Sequence, residues 1–203
     1  MSKKRKVLIS IIAIVMVYAC TWFFASDIYE RQKNITMEIN SNGEKTIYYS
    51  YADYPYYESL SSLVNNSELI VYCEVEKKQY DWRSLLIEDE EGGNLIPDQL
   101  NEKELITIYN LKIINDYSGE DRKNIQLLQL GGETDYEIYQ YDESPILKEG
   151  EQYVLFLSKS SKWDNSYWLM NNAQSVYEVN KKDNSISGGD FELSFDLLET
   201  ISN

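Results

Sequence analysis

The residue types that most often support catalysis are scarce in this sequence. The chain of 203 residues contains no histidine, which removes the commonest general base, the Ser-His-Asp and Cys-His arrangements, and imidazole metal sites. The short motifs of common hydrolases and nucleotide-binding proteins are also absent from the sequence. The 34 Asp and Glu residues could supply paired carboxylates for acid–base or glycosidic chemistry, but their spacing selects no pair. We therefore predict no catalytic residue, no cofactor site and no metal site, and we do not expect an enzyme.

Two cysteines and one loop are the remaining candidates for specific chemistry. Cys20 lies in an apolar segment, so Cys73 has no partner for a disulfide bond within the rest of the chain. Cys73 stands in the alternating stretch 69–75, where a period of two places it on the apolar face. We expect it to be a buried thiol that behaves as a small hydrophobic side chain. The loop 183–188 begins like a calcium loop, but Ser194 occupies the twelfth position, where an EF-hand needs Glu.

A run of tyrosines is the best candidate for a binding surface. Tyrosine rings can stack on sugars or on a peptide, although such runs also cover sheet edges with their hydroxyls in water. We predict a contact surface, with no chemistry of its own, formed by Tyr48, Tyr49, Tyr51, Tyr54, Tyr56 and Tyr57.

The first 25 residues determine where such a surface would lie. Residues 3–6 form a basic cluster, and residues 7–25 follow without a single charge. A helix of that length spans about 28 Å, close to the thickness of a bilayer core, and flanking cations stay in the cytoplasm. We predict a single-pass anchor in the cell membrane, with everything after it extracytoplasmic. Two alternatives are open: lipidation of Cys20 in a lipoprotein signal, or cleavage after Ala19.

The charge of the remaining chain restricts its partners. After residue 25 there are 15 Lys and Arg against 34 Asp and Glu, a balance of −19. Such a surface repels phosphate backbones and anionic lipid, so we expect no nucleic acid partner. An acidic surface also keeps an exported domain soluble. The 18 tyrosines and only three prolines suit a β-rich domain.

Hydrophobic spacing predicts mainly β structure with short helices. Residues 26–56 form a juxtamembrane segment with a β-hairpin, in which two alternating stretches (35–39 and 46–51) flank Asn42 and Gly43. A short helix is expected at 57–65. Residues 153–157 are apolar on both sides, which is typical of a strand buried on both faces. Residues 181–190 read as a polar loop, and 191–201 as a terminal helix.

Five or more strands punctuated by turns suggest a small closed barrel over residues 57–180, followed by a C-terminal loop and short helix at 181–203. The order of several motifs supports this expectation. Tyr57, Ser59 and Leu60 open the domain, Leu130, Gly131 and Gly132 follow, and the stretches 147–157 and 173–179 close it.

This order resembles a widespread group of exported bacterial proteins of unassigned function. More distantly it is similar to the netrin-like module and the tissue inhibitors of metalloproteinases, which implies an OB-like five-stranded barrel. Inhibition in that family uses an N-terminal Cys held by disulfides, and this domain has neither, so the activity is not carried over. Fold alone assigns no function.

The sequence therefore favours a membrane-anchored, non-catalytic binding or interaction module of the bacterial cell envelope. Its expected partner is an envelope protein or a cell-wall polymer, reached by a domain outside the membrane. The alternative hypothesis is a carboxylate-dependent enzyme acting on an envelope glycan, which would need two acids converging in a cleft.

Overall fold

A computed structural model of the chain describes residues 36–38, 45–85, 103–142 and 144–201. The predicted anchor at 1–25, Cys20 and the turn at Asn42 and Gly43 lie outside these residues. No helix in the described ranges is long and apolar enough to cross a bilayer. The described chain is mainly β with two short helices, as predicted. Its strands are β1 (Thr36–Glu38), β2 (Thr46–Ser50), β3 (Leu69–Arg83), β4 (Glu104–Asp116), β5 (Asn124–Leu130), β6 (Gly132–Glu133), β7 (Glu137–Tyr141), β8 (Gln152–Lys159), β9 (Ser166–Leu169), β10 (Val176–Val179) and β11 (Ile186–Gly188), and its helices are α1 (Leu60–Asn66) and α2 (Phe195–Ile201).

Five strands form a ring of pairings. In the larger sheet, the order is β11-β10-β8-β3-β4-β5-β9, and a further pairing between β8 and β9 closes the last five strands on themselves. The pair β5–β9 is parallel and the other pairs of the ring are antiparallel. One edge of β8 serves two partners in succession: its first half pairs with β10 and its last residues pair with β9.

The strand β8 confirms the prediction of burial on both faces. All five residues from Tyr153 to Leu157 are buried. Tyr153, Leu155 and Leu157 belong to the core inside the ring, whereas Val154 and Phe156 face a second core covered by α1 and α2. An uninterrupted apolar run therefore arises because this strand separates two hydrophobic layers.

The alternation predicted for 69–75 is also confirmed. Leu69, Val71, Cys73 and Val75 are fully buried in the ring, and their neighbours point outward. A register shift follows Val75, after which β3 continues to Arg83 beside β4. This continuation carries a long β3–β4 hairpin beyond the ring, which the sequence pattern did not reveal.

A second sheet packs at the end of this hairpin. Its order is β1-β2-β7-β6. The antiparallel pairing of β1 with β2 confirms the predicted hairpin pairing, and β2 pairs in parallel with β7 over five residues. Strands β1 and β2, from residues 36–50, therefore share one sheet with β6 and β7.

The C-terminal segment differs from the prediction in two ways. The polar loop expected at 181–190 contains β11, which pairs with β10. The terminal helix begins at Phe195 rather than at residue 191. Ser194 explains this start, because its hydroxyl oxygen accepts the N–H of Leu197 at 3.2 Å and caps the helix. Phe191 still packs against the second core, the one covered by α1 and α2, which is why its spacing resembled a helical face.

Candidate functional site

The six tyrosines predicted as a contact surface are distributed over different environments. Tyr48 and Tyr49 are neighbours on β2, so their side chains point to opposite faces of the sheet. Tyr51 and Tyr56 are exposed, at 69% and 72%, and Tyr54 is half-buried. Tyr57 is only 7% exposed and belongs to the second core. The predicted set therefore includes two exposed rings that follow β2, and one ring that is not on the surface.

Tyr57 is buried because a distant side chain fixes its backbone. The side-chain oxygen of Gln174 accepts the N–H of Tyr57, and its amide nitrogen donates to the Tyr57 carbonyl, both at 2.9 Å. The same nitrogen also donates to Asp190 at 3.0 Å. Gln174 is fully buried. The end of the tyrosine run is thereby held in the core, and the contact role of Tyr57 stays a prediction that its burial does not favour.

A cleft lies where the second sheet packs against the long β3–β4 hairpin. We call it the aromatic cleft; its volume is about 140 Å³. The strands approach closely here because Gly132 has no side chain: a Cβ at this position would lie 2.6 Å from the Tyr80 ring. The side chains that define the cleft are Tyr80, Thr107, Tyr109, Gln129, Tyr139 and Tyr141, with Ile146 at its rim.

The polar groups inside the aromatic cleft are mostly occupied by the backbone. The Thr107 hydroxyl donates to the Gly131 carbonyl at 2.7 Å, and the Gln129 amide donates to the Pro145 carbonyl at 3.0 Å. Burial raises the pKa of Tyr109 to about 12, so its phenol is neutral at physiological pH. The rim side chain Ile146 is 72% exposed. The cleft thus offers rings and an apolar rim, and Lys78 and Glu133 are the charged residues in its lining.

One wall of the cleft continues into a group of rings around a carboxylate. We call Tyr48, Trp82, Glu137 and Tyr139 the tyrosine–glutamate cluster. The parallel register places Tyr48 opposite Tyr139, and their rings stack with centroids 4.8 Å apart and planes 18° apart. Trp82 stands nearly perpendicular to Tyr139, at 84° and 5.4 Å. The three rings therefore form one contact group between the second sheet and β3.

Both phenols of the cluster donate to the same carboxylate. The Tyr48 hydroxyl lies 3.3 Å from one oxygen of Glu137, and the Tyr139 hydroxyl lies 3.1 Å from the other. Beside them, the Tyr141 hydroxyl donates to Glu104 at 3.1 Å. Burial raises the pKa of Tyr139 to about 12, and the Glu137 carboxylate acts in the same direction. With this pKa the Tyr139 phenol remains a protonated donor near neutral pH. The arrangement therefore suits binding rather than proton transfer.

A larger depression, of about 630 Å³ and open to solvent, lies between β11 and α2. A ligand there would meet mainly the loop 188–194, with the acidic side chains Asp190 and Glu192. The Asp190 carboxylate is already engaged by Gln174. The aromatic cleft, in contrast, presents rings from three strands and is the better candidate site.

The other candidates of the sequence have ordinary structural roles. Cys73 is fully buried, its thiol lies 3.6 Å from the Tyr153 carbonyl, and burial raises its pKa. It is therefore the inert core thiol that the strand pattern predicts. The Asp183 carboxylate accepts the N–H and the hydroxyl of Ser185, which lower its pKa and close a local turn. Among the described residues no group of three His, Cys, Asp or Glu could hold a metal ion.

Sequence reasoning identified Tyr48 and missed the other residues that form the cleft and the cluster. Two weak signals were present: Tyr80 and Trp82 are two residues apart, as are Tyr139 and Tyr141, which is the spacing of one strand face. Neither pair indicates its partner strand. No protein-family model matches the chain, and comparison with curated proteins finds no significant match. Function must therefore be inferred from the geometry of the cleft.

Proposed function

We propose that this protein is a non-catalytic binding module of the bacterial cell envelope, held at the outer face of the membrane by residues 1–25. Its ligand is an envelope protein or a cell-wall polymer. The observation that carries this proposal is the aromatic cleft: tyrosine rings from three strands converge on a small cavity whose polar groups are tied to the backbone. Such a site can hold a chain by stacking and shape.

The ring of strands supports an OB-type assignment for the main domain. An OB fold is a five-stranded, partly open barrel that binds ligands over its second and third strands. In this chain those strands would be β4 and β5, counted from β3. They supply Thr107, Tyr109 and Gln129 to the aromatic cleft. The resemblance to the netrin-like module is a further reason to propose this assignment, under which the cleft would lie where OB-type domains bind their ligands.

The short path from the anchor to the second sheet supports contact close to the membrane. Ten residues separate Ala25 from Thr36, the first residue of β1. Even fully extended, ten residues reach about 35 Å. Because β1 and β2 pair within the second sheet, the ligand must lie within that order of distance from the bilayer surface.

Site-specific crosslinking in intact cells tests the proposal. A photo-reactive amino acid replaces Ile146 at the rim of the cleft, and the attached molecule is identified after irradiation. We expect one dominant adduct. The matched position is Lys182, an exposed residue of the β10–β11 turn that does not line the cleft, and it should give no such adduct.

Two side-chain replacements make the result specific. Tyr80→Leu removes a ring from the cleft and should reduce the Ile146 adduct, whereas Tyr136→Leu removes an exposed ring outside it and should not. Equal adducts at both crosslinking positions, or no effect of Tyr80→Leu, would contradict binding in the cleft.

Protease added to protoplasts tests the placement separately, since the chain after residue 25 should be digested. Loss of lipid labelling in Cys20→Ser would identify a lipoprotein.

A further inference from the structure

The hydrogen-bond donors around the carboxylate of the tyrosine–glutamate cluster are neutral phenols. Glu137 accepts hydrogen bonds from Tyr48 and Tyr139, and neighbouring Glu104 accepts one from Tyr141. A phenol donor stabilises a carboxylate but does not neutralise its charge. Within the described part of the chain, neither carboxylate forms a salt bridge with Lys or Arg. The nearest basic residue along β2, Lys45, is engaged by Glu133 at 2.6 Å.

The rings of the cluster also differ from other aromatic side chains in this protein. Trp163 has the Arg83 guanidinium 5.2 Å and the Lys162 ammonium 5.6 Å from its ring centroid, and Tyr80 has the Lys78 ammonium at 5.5 Å. The chain thus supplies its own cations to these faces. No described cation lies over Trp82, Tyr48 or Tyr139 in this way, although Trp82 is 42% exposed. Negative charge and electron-rich faces therefore meet at one place, partly open to solvent, where none of the described residues supplies a positive partner.

The overall charge strengthens the same preference. The chain carries a formal net charge of −15, which concentrates cations near its surface and repels anions. A cation at the cluster would contact ring faces and the carboxylate lone pairs that the phenols leave open.

We propose that the tyrosine–glutamate cluster binds an alkylammonium group, the chemistry of a lysine side chain, on the ligand of the aromatic cleft. This inference rests on the proposed binding function, because Tyr139 belongs to both places. The four-carbon stem of such a side chain would lie along the rings while its ammonium group reaches Glu137.

The test uses the full chain purified in an uncharged detergent and titrated with Nα-acetyl-lysine methylamide at constant ionic strength. The readout is the indole N–H resonance of Trp82, identified with Trp82→Phe. We expect a saturable shift in the millimolar range. The Nα,Nε-diacetylated probe, which has the same shape without the charge, should cause no saturable shift.

Variants connect the response to the cluster. Glu137→Gln retains an oxygen acceptor for one phenol and removes the charge, and it should weaken binding by about fivefold or more. The matched control is Glu192→Gln, which removes one charge from an exposed loop outside the cluster and should leave binding unchanged. Unshifted indole resonances of Trp163 and Trp168 would establish that each variant is folded. Trp82→Leu, read through tyrosine ring resonances, provides a second test if Glu137→Gln unfolds the second sheet.

The outcomes separate this inference from the proposed function. Equal binding of the charged and diacetylated probes, or an unchanged affinity in Glu137→Gln, would overturn the ammonium site. A response to glucosamine in place of the lysine derivative would also overturn it, because the amine would then belong to a sugar. In each of these cases a specific Ile146 adduct would leave the binding function intact. If the lysine derivative still binds but the Ile146 adduct is not formed, the cleft is rejected as the binding site.

Discussion

The junction between the two sheets can be tested by adding a single methyl group at Gly131. Its φ is +91°, and a Cβ there would lie 2.4 Å from the Tyr139 carbonyl oxygen. Ordinary contacts of this kind are roughly 1 Å longer, so β5 or β7 must move. Movement strains two hydrogen bonds of Gly131, one from its N–H to the Leu105 carbonyl at 2.8 Å and one from Thr107 to its carbonyl at 2.7 Å.

These contacts set the magnitude expected for Gly131→Ala. A left-handed backbone costs a non-glycine residue about 1–2 kcal/mol, of which about 0.4–1 kcal/mol is offset by the stiffer unfolded chain. Weakening two hydrogen bonds adds about 2 kcal/mol. The free energy of unfolding should therefore fall by about 3 kcal/mol. For a chain of this size that corresponds to a decrease in Tm of about 6–12 °C.

Gly119 provides the matched control. Its φ is +82°, close to that of Gly131, but a Cβ there would meet nothing within 4 Å. Gly119→Ala therefore has the backbone cost alone, about 1 kcal/mol or about 2–4 °C in Tm. Thermal unfolding followed by tryptophan fluorescence measures both variants. Equal decreases in Tm would refute the reasoning, because the crowding by β7 would then contribute nothing.

Two further predictions concern buried polar groups. Gln174→Met should lower the free energy of unfolding, measured by urea titration, by about 3 kcal/mol, because it leaves the buried N–H and carbonyl of Tyr57 without partners. The control is Gln126→Met, which removes a side-chain hydrogen bond with Asn110. It should lower the free energy of unfolding by about 1 kcal/mol or less. Stability should also decline in alkali, since the pKa of Tyr109 and that of Tyr139 are raised from 10.0 to about 12 in the folded state. The stabilisation is fully present below pH 10 and is lost as the pH rises through about 12, so urea midpoints that stay constant up to pH 12 would contradict it.

The parts of the fold that the sequence predicted are those with a strong local pattern. The alternation of apolar and polar residues in 69–75 depends only on neighbouring residues, and it correctly predicted that Cys73 is buried. The apolar run 153–157 likewise identified a strand between two hydrophobic layers. The hairpin pairing of β1 with β2 follows from one turn signal and two short alternating stretches.

The second sheet, apart from its β1–β2 pairing, was not predictable for a physical reason. Its strand β7 has five residues, Glu137–Tyr141, without a buried side chain among them, so no apolar pattern distinguishes it from a loop. It is defined by a parallel partner far away in the sequence: Tyr48 and Glu137 are 89 residues apart. The burial of Tyr57 has the same origin, because Gln174 lies 117 residues later. A site assembled from such distant residues leaves only weak signals in any one stretch.

The contacts made by β2 matter for the proposed function because of the position of this strand in the chain. β2 follows the proposed anchor within the same segment, and it also supplies Tyr48 to the ring stack with Tyr139. The ion pair between Lys45 and Glu133 fastens the start of β2 to β6. A chain beginning at residue 57 would therefore lack one of the two stacked rings, one phenol donor to Glu137 and the parallel partner of β7. The tyrosine–glutamate cluster therefore depends on β2, which lies between the proposed anchor and the main domain in the chain.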